Sequence, residues 1–148
     1  MSYIIIILSI LLGDLGIKDY VEKYGHETDE KKIMNGSLII RKHHNNGVAL
    51  NIGSSKNTFV TVLSTVFTII MSILFVCTFS MKGKSLLKTG LSLILGGAYS
   101  NTYDRLRRKY VVDYISFGVK WNWLNHIIFN IGDFGIMLGA LFLIISER

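Results

Sequence analysis

The 148-residue sequence contains no proline and a single cysteine, and only 18% of its residues are charged. The lone Cys77 cannot form an internal disulfide, and there is no CxxC pair for zinc or redox chemistry. So few charges exclude a disordered or nucleic-acid-binding tail, because such segments are polar and strongly charged. Half of the residues are hydrophobic and must be shielded from water.

Several catalytic signatures are also missing. The sequence has no H-E-x-x-H motif, no GxxxxGK[ST] phosphate loop, and no Ser, Cys or Lys nucleophile beside a suitable base in motif spacing. The adjacent His43 and His44 would point to opposite faces of a strand, which disfavours a shared metal ion. We therefore expect no metal and no cofactor.

The apolar residues are clustered in long windows. A bilayer core about 30 Å thick needs ~20 residues of helix. The clearest window has no charged residue or histidine between Lys56 and Lys82. The net charge of +6 is typical of membrane proteins with basic loops, so we expect no nucleic-acid partner. The predicted fold is an all-α membrane protein in one domain over 1–148, with four transmembrane helices at 3–21, 57–81, 85–103 and 125–146.

Two long segments, 22–56 and 104–124, join these spans on the side opposite both termini. In the first, the turn dipeptides Asn35-Gly36 and Asn46-Gly47 precede the strand-like runs Ser37–Arg41 and Val48–Ile52. We expect a small β-sheet on the membrane surface at about 22–56 and an interfacial segment at about 104–124.

The cations are unevenly distributed between the two sides. Four lie on the side of the termini and eleven on the side of the long segments, with Lys18 inside a span. The positive-inside rule alone would place the long segments in the cytoplasm. The basic cluster 105–109 has two interpretations. It either binds phosphate groups of lipid or substrate, or it is a solvated loop with no ligand.

Small residues indicate how the helices could meet. They recur every fourth position as Ser92, Gly96 and Ser100 on the third span and as Gly135 and Gly139 on the fourth. Such spacing lets backbones approach closely, although glycine is also frequent in membrane helices generally. Both interpretations predict a four-helix bundle.

Polar residues within apolar spans are candidates for function, because each costs free energy to insert. Asp133 follows Asn130 by three residues, a spacing that predicts a shared helix face and suits either catalysis or a structural role in helix packing. Asn101 and Arg105 lie one turn apart where the third span ends. Asp113 stands in a short apolar run too short to span. Two carboxyl groups brought together would share a proton and could activate water, but the sequence alone does not bring Asp113 and Asp133 together.

These motifs resemble the lipoprotein signal peptidases (signal peptidase II), bacterial aspartyl proteases of four spans. The resemblance covers nearly the whole chain. The matching motifs are, in order, Asp14-x-x-x-Lys18, Asn45-Asn46-Gly47-Val48-Ala49, Gly96-Gly-Ala-x-x-Asn101-x-x-Asp104-Arg105, Val111-Val112-Asp113-Tyr114 and Phe129-Asn130-x-x-Asp133.

The resemblance implies a role for each matching residue. Asp113 and Asp133 would be the catalytic pair. Residues that line the site and position the substrate or the pair would be Asp14, Asn45, Asn101, Arg105 and Asn130. Structural support would come from Lys18, Gly47 and Asp104.

The resemblance also implies a substrate, a location and an inhibitor. The substrate would be a diacylglyceryl-modified prolipoprotein, cut on the amino side of its lipidated cysteine. The enzyme would be a multi-pass protein of the bacterial cytoplasmic membrane, with its active site near the extracytoplasmic face beside a β-cradle and a short interfacial helix. Membrane lipid and a globomycin-type inhibitor would be further partners, and we expect a monomer.

The chain departs from the usual motifs at five positions. Leu15 and Ile17 replace Gln and Thr, Leu50 replaces Phe, Ser100 replaces Gly, and Gly132 replaces Ala. None removes a proposed catalytic group, and together they suggest an altered substrate preference.

Two other functions stay open on the sequence. One is a catalytically silent homologue that binds lipopeptides or another membrane protein. The other is an ion or proton pathway through Asp14, Asp104 and Asp133.

Overall fold

Four long helices form the body of the computed structural model, which describes residues 2–26, 28–47, 57–118 and 127–146. The four helices are α1 (Ser2–Tyr24), α2 (Asn57–Cys77), α3 (Ser85–Arg107) and α4 (Ile131–Ser146). Helix α3 is central and contacts each of the other three. Each predicted span therefore contains one helix, although α4 begins six residues after the predicted start of the fourth span.

The exteriors of these helices are apolar. Ile5, Leu12 and Ile144 are each more than 60% exposed, as expected of side chains that face lipid. In the part of the chain that the structure describes, one helix, Thr58–Ser80, is long and apolar enough to cross a membrane by length and composition alone. Helix α4 is apolar but has only 16 residues. Membrane crossing by all four helices stays a prediction.

A four-stranded antiparallel sheet lies beside the helices. Its strands, in spatial order, are β1 (Lys31–Ile33), β2 (Leu38–Asn45), β3 (Val111–Phe117) and β4 (Ile128–Phe129). The predicted strand at 37–41 is confirmed and continues to Asn45. The predicted turn is confirmed as well, since Asn35 and Gly36 both have positive φ between β1 and β2. The predicted strand Val48–Ile52 lies outside the described residues, and so does Leu50.

The sequence predicted a sheet within residues 22–56, and this prediction is wrong because the sheet also includes later parts of the chain. Strand β3, predicted only as an interfacial segment, is a central strand that pairs His43 with Asp113 and Asn45 with Val111. Because Val111, Val112 and Tyr114 are all buried, β3 lacks the alternating pattern of a half-exposed strand. The interfacial helix is not found at 104–118, where α3 ends and β3 follows, and residues 119–126 lie outside the described ranges.

Helices α3 and α4 pack through glycines. Of the predicted small residues, Gly139 lies in this contact, whereas Gly96 on α3 faces Ile10 of α1 instead. A Cβ atom on Gly97 would lie 2.0 Å from the carbonyl oxygen of Gly132. Further along the same contact, a Cβ atom on Gly139 would lie 2.5 Å from the carbonyl oxygen of Gly90. Such short distances leave no room for a side chain between the two backbones.

Substitution of Gly139 by alanine should therefore destabilise the protein. The added methyl group would contact the Gly90 carbonyl and Ile94, which costs about 1–3 kcal/mol of unfolding free energy. Gly13→Ala is the matched control, because its Cβ would meet nothing within 4 Å. Thermal unfolding in detergent should show a lower midpoint for Gly139→Ala alone, and equal midpoints would contradict the tight helix contact.

Candidate active site

Two carboxyl groups meet where the sheet adjoins the helices. Asp113 lies on β3 and is 2% exposed, whereas Asp133 lies in the first turn of α4 and is partly exposed. Both line a cavity of about 500 Å³ between β3 and helices α2, α3 and α4. Asn45, Asn101 and Arg105 line the same cavity, so five residues predicted for the site are brought together.

Asn130 connects the two carboxyl groups. Its Oδ1 accepts a hydrogen bond from the backbone N–H of Asp133 at 2.9 Å, and its own N–H donates to Asp133 Oδ2 at 3.0 Å. This reciprocal pair is a capping box at the start of α4. The Asn130 Nδ2 donates to Asp113 Oδ1 at 2.7 Å. The spacing had suggested that Asn130 and Asp133 share a helical face. Asn130 instead precedes the helix and caps it.

Two further amides complete the hydrogen bonds of the carboxyl groups. Asn45 Nδ2 donates to Asp113 Oδ2 at 2.9 Å, and Asn101 Nδ2 donates to Asp133 Oδ1 at 2.9 Å. Each of the four carboxyl oxygens thus accepts an N–H bond. These bonds fix the direction in which each carboxyl group faces the cavity.

Arg105 and Gly47 hold the edge of the site. Arg105 Nη2 donates to the Gly47 carbonyl at 3.0 Å, and Gly47 N donates to Asn45 Oδ1 at 3.0 Å. The second bond leaves the Asn45 Nδ2 free to face Asp113. Gly47 therefore occupies a position that suits the structural role implied for it.

Burial raises the pKa of Asp113 to about 7, and the negative charge of Asp133 raises it as well. Hydrogen bonds from Asn45 and Asn130 oppose this shift because they favour the charged form. Asp113 can therefore hold a proton near neutral pH. A pair of carboxyl groups with one proton between them can supply both an acid and a base.

A buried charged cluster lies beneath the site. Lys18 Nζ lies 2.8 Å from Asp14 Oδ2 and 3.2 Å from Asp104 Oδ2, and all three side chains are fully buried. Asp14 does not line the cavity; it accepts bonds from Tyr114 OH and from the backbone N–H of Ile131 at the start of α4. Asp14 and Asp104 therefore support the site from the buried cluster and do not face the cavity.

Two residues of this cluster were not predicted as site residues. The Ser100 hydroxyl accepts from Lys18 at 3.0 Å and donates to Asp14 at 2.6 Å. Tyr114 reaches Asp14 from the face of β3 opposite Asp113. Strand alternation could have indicated this placement of Tyr114. Ser100 was named in the sequence only as a small residue of the third span and as a departure from the family motif.

The described residues contain no group of three or more His, Cys, Asp or Glu side chains that could hold a metal ion. Of the four histidines in the sequence, His126 lies outside the described ranges. The expectation that no metal or cofactor takes part stays a prediction.

The comparisons with known proteins decide the family. A family model described as Signal peptidase (SPase) II matches residues 6–147. The chain belongs to the signal peptidase II family. A lipoprotein signal peptidase of Lactiplantibacillus plantarum is 31% identical over 97% of this chain and 92% of its own length. One from Caldicellulosiruptor bescii is 36% identical over 99% and 93%.

Two solved structures share the fold of this chain. A bacterial membrane enzyme is similar over 99% of this chain and 87% of its own, with a TM-score of 0.84 and 28% identity. A second bacterial membrane enzyme gives a TM-score of 0.79 at 28% identity, over 99% and 92%. The resemblance drawn from the motifs is thus confirmed.

The raised pKa of Asp113 predicts a pH-dependent stability. An unfolded aspartate has a pKa of about 3.9, so the contribution of Asp113 is most favourable below that value and is lost as the pH rises through about 7. Between pH 5 and pH 8, the unfolding midpoint of the parent should therefore fall further than the midpoint of Asp113→Asn.

Each protein is compared with itself at the two pH values, which removes any effect of the new amide on stability that does not depend on pH. The exposed Asp29 supplies the control, since Asp29→Asn should follow the parent at both pH values. If Asp113→Asn and the parent lose equally, Asp113 does not carry the raised pKa.

Proposed function

We propose that the chain removes signal peptides from diacylglyceryl-modified prolipoproteins, with Asp113 and Asp133 as the catalytic pair. The observation that carries this proposal is the bridge through Asn130, which bonds both residues at one wall of a single cavity. Family membership supports the substrate class.

One water between the two carboxyl groups would be the nucleophile. Asp133 is assigned the role of base, because backbone N–H groups at the N-terminus of α4 stabilise negative charge there. It takes a proton from the water as the oxygen attacks the scissile carbonyl carbon. Asp113, which holds the shared proton, donates it to the carbonyl oxygen. When the tetrahedral intermediate collapses, the C–N bond breaks, the proton on Asp133 passes to the leaving amine, and one hydroxyl of the intermediate returns its proton to Asp113.

The cavity suits a substrate with lipid attached. Leu63 and Phe67 of α2 and Ile136 and Met137 of α4 give it apolar walls, and the carboxyl groups lie among its polar residues. Acyl chains held in the bilayer would leave only a short peptide to be oriented at the site. The products would be the free signal peptide and a protein that begins with the lipidated cysteine.

The proposed location is the bacterial cytoplasmic membrane, with the site near the extracytoplasmic face. The exposed apolar residues of the helices support the membrane, and both carboxyl groups lie at the end of the bundle that carries the sheet. The proposed partners are the prolipoprotein substrate, membrane lipid and a globomycin-type inhibitor, and the proposed state is a monomer.

Replacement of either carboxyl group should abolish cleavage. Asp113→Asn and Asp133→Asn remove the acid or the base, and each should lower the cleavage rate by about 100-fold or more. The measurement is the mobility shift of a diacylglyceryl-modified prolipoprotein incubated with purified protein in detergent. Asp29→Asn, an exposed carboxylate replaced in the same way, should cleave like the parent.

Globomycin should block the cleavage by the parent. A parent protein that binds lipopeptide without cleaving it would show a silent homologue instead. Cleavage by the two Asn variants at the parental rate would refute the catalytic pair.

Reporter fusions should establish the orientation. A reporter after Arg148 and one at Gly83 should both be cytoplasmic, and one at Glu30 should be extracytoplasmic. An alkaline phosphatase fusion, active only outside the cytoplasm, measures this directly. The reverse pattern would follow the cation distribution and contradict the proposed location.

A further inference from the structure

Lys18 reaches the catalytic pair through a single amide. Its Nζ donates to Asn101 Oδ1 at 2.8 Å, and Asn101 Nδ2 donates to Asp133 Oδ1 at 2.9 Å. We propose that Lys18 is a positioning residue whose ammonium group fixes the orientation of the Asn101 amide and thereby keeps an N–H donor on Asp133. This inference rests on the catalytic role proposed above for Asp133.

The two ends of the Asn101 amide have nearly the same shape but opposite hydrogen-bonding character. In the observed orientation the carbonyl oxygen meets an ammonium group and the NH₂ group meets a carboxyl group. Rotation by half a turn would place NH₂ against the ammonium of Lys18 and the carbonyl oxygen against Asp133. Both contacts would be repulsive, so the charge on Lys18 permits one orientation.

The ammonium group itself is held rigidly. Lys18 is fully buried, and its Nζ contacts Asp14 at 2.8 Å, Ser100 at 3.0 Å and Asp104 at 3.2 Å in addition to Asn101. Asp14 lies one turn before Lys18 on the same helix, and the Ser100 hydroxyl donates to Asp14. A preorganised charge of this kind needs no rearrangement during the reaction.

The effect on the chemistry follows from the direction of the two hydrogen bonds. An amide polarised by Lys18 is a stronger donor to Asp133 and favours its charged form, which is the form that accepts a proton from water. Lys18 is not among the residues that line the cavity. Its loss should therefore lower kcat and leave KM nearly unchanged.

A double-mutant cycle tests whether Lys18 acts through Asn101. The variants are Lys18→Met, Asn101→Ala and the combination, assayed for prolipoprotein cleavage across pH. Lys18→Met should lower kcat by about 10-fold or more, keep KM within about twofold, and move the acidic limb of kcat to higher pH. In the Asn101→Ala background, Lys18→Met should have little further effect on kcat, and its shift of the acidic limb should shrink to the direct effect of the lost charge on Asp133.

Additive losses in the two backgrounds, or an acidic limb that stays in place, would overturn the role of Lys18 while leaving the catalytic pair intact. A parent that fails to cleave, or cleaves without Asp113 and Asp133, would instead refute the proposed function and this inference with it. The two failures are therefore distinguishable.

One further variant separates positioning from general loosening of the buried cluster. Ser100→Ala removes a hydroxyl that bonds both Asp14 and Lys18 but leaves the contacts of Asn101, so its acidic limb should match that of the parent. A shift equal to that of Lys18→Met would overturn the inference.

If Lys18→Met does not fold, the cycle is performed with Lys18→Met combined with Asp14→Asn. That combination removes the buried cation together with one carboxylate. Unfolding midpoints of all variants verify that each one is folded at the assay temperature.

Discussion

The buried ammonium group of Lys18 is the interaction on which the rest of the structure depends. A charge transferred from water into a protein interior costs several kcal/mol unless it is paired and hydrogen-bonded. Asp14 and Asp104 pair with Lys18, and Arg108 pairs with the other oxygen of Asp104 at 3.0 Å. This cluster holds α1 against α3. It also anchors two backbone N–H groups, Val112 at the start of β3 and Ile131 at the start of α4. The positions of both catalytic candidates, Asp113 and Asp133, therefore follow from how these charges are paired.

The sequence predicts the helices well and their ends poorly. A window without charges such as 57–81 has few alternatives to a helix, since an apolar backbone in lipid must satisfy its own hydrogen bonds. The window at 125–146 is equally apolar, but its first part holds β4 and the cap Asn130, and α4 begins only at Ile131. Apolar residues at 127–129 suit a strand or a helix, so composition could not locate this boundary. Strand β3 was missed for a related reason, because burial on both faces removes the alternation that identifies a strand.

The candidate site could be predicted only in its local parts. Asn130 and Asp133 are three residues apart, a spacing that joins them both on a helix and in a capping box. Asp113 reaches them because β2, β3 and β4 pair side by side, and this pairing depends on contacts between distant parts of the chain. The bond between Lys18 and Asn101 joins residues 83 positions apart, so no spacing rule indicates it. The family resemblance supplied the residues of the site, and the structure supplies their hydrogen bonds.

The proposed acid and base differ because they are carried by different kinds of backbone. Asp113 is on a central strand, where neighbouring strands bury it and its proton is retained near neutral pH. Asp133 is in the first turn of a helix, where backbone N–H groups favour its charge. Two identical side chains in such different surroundings suit the two separate roles that an acid and base pair requires. Asp113 and Asp133 lie where the polar residues of the sheet adjoin the apolar walls of α2 and α4. A reaction that needs water on a substrate anchored in lipid requires both surfaces at one place, and the junction of sheet and helices provides them.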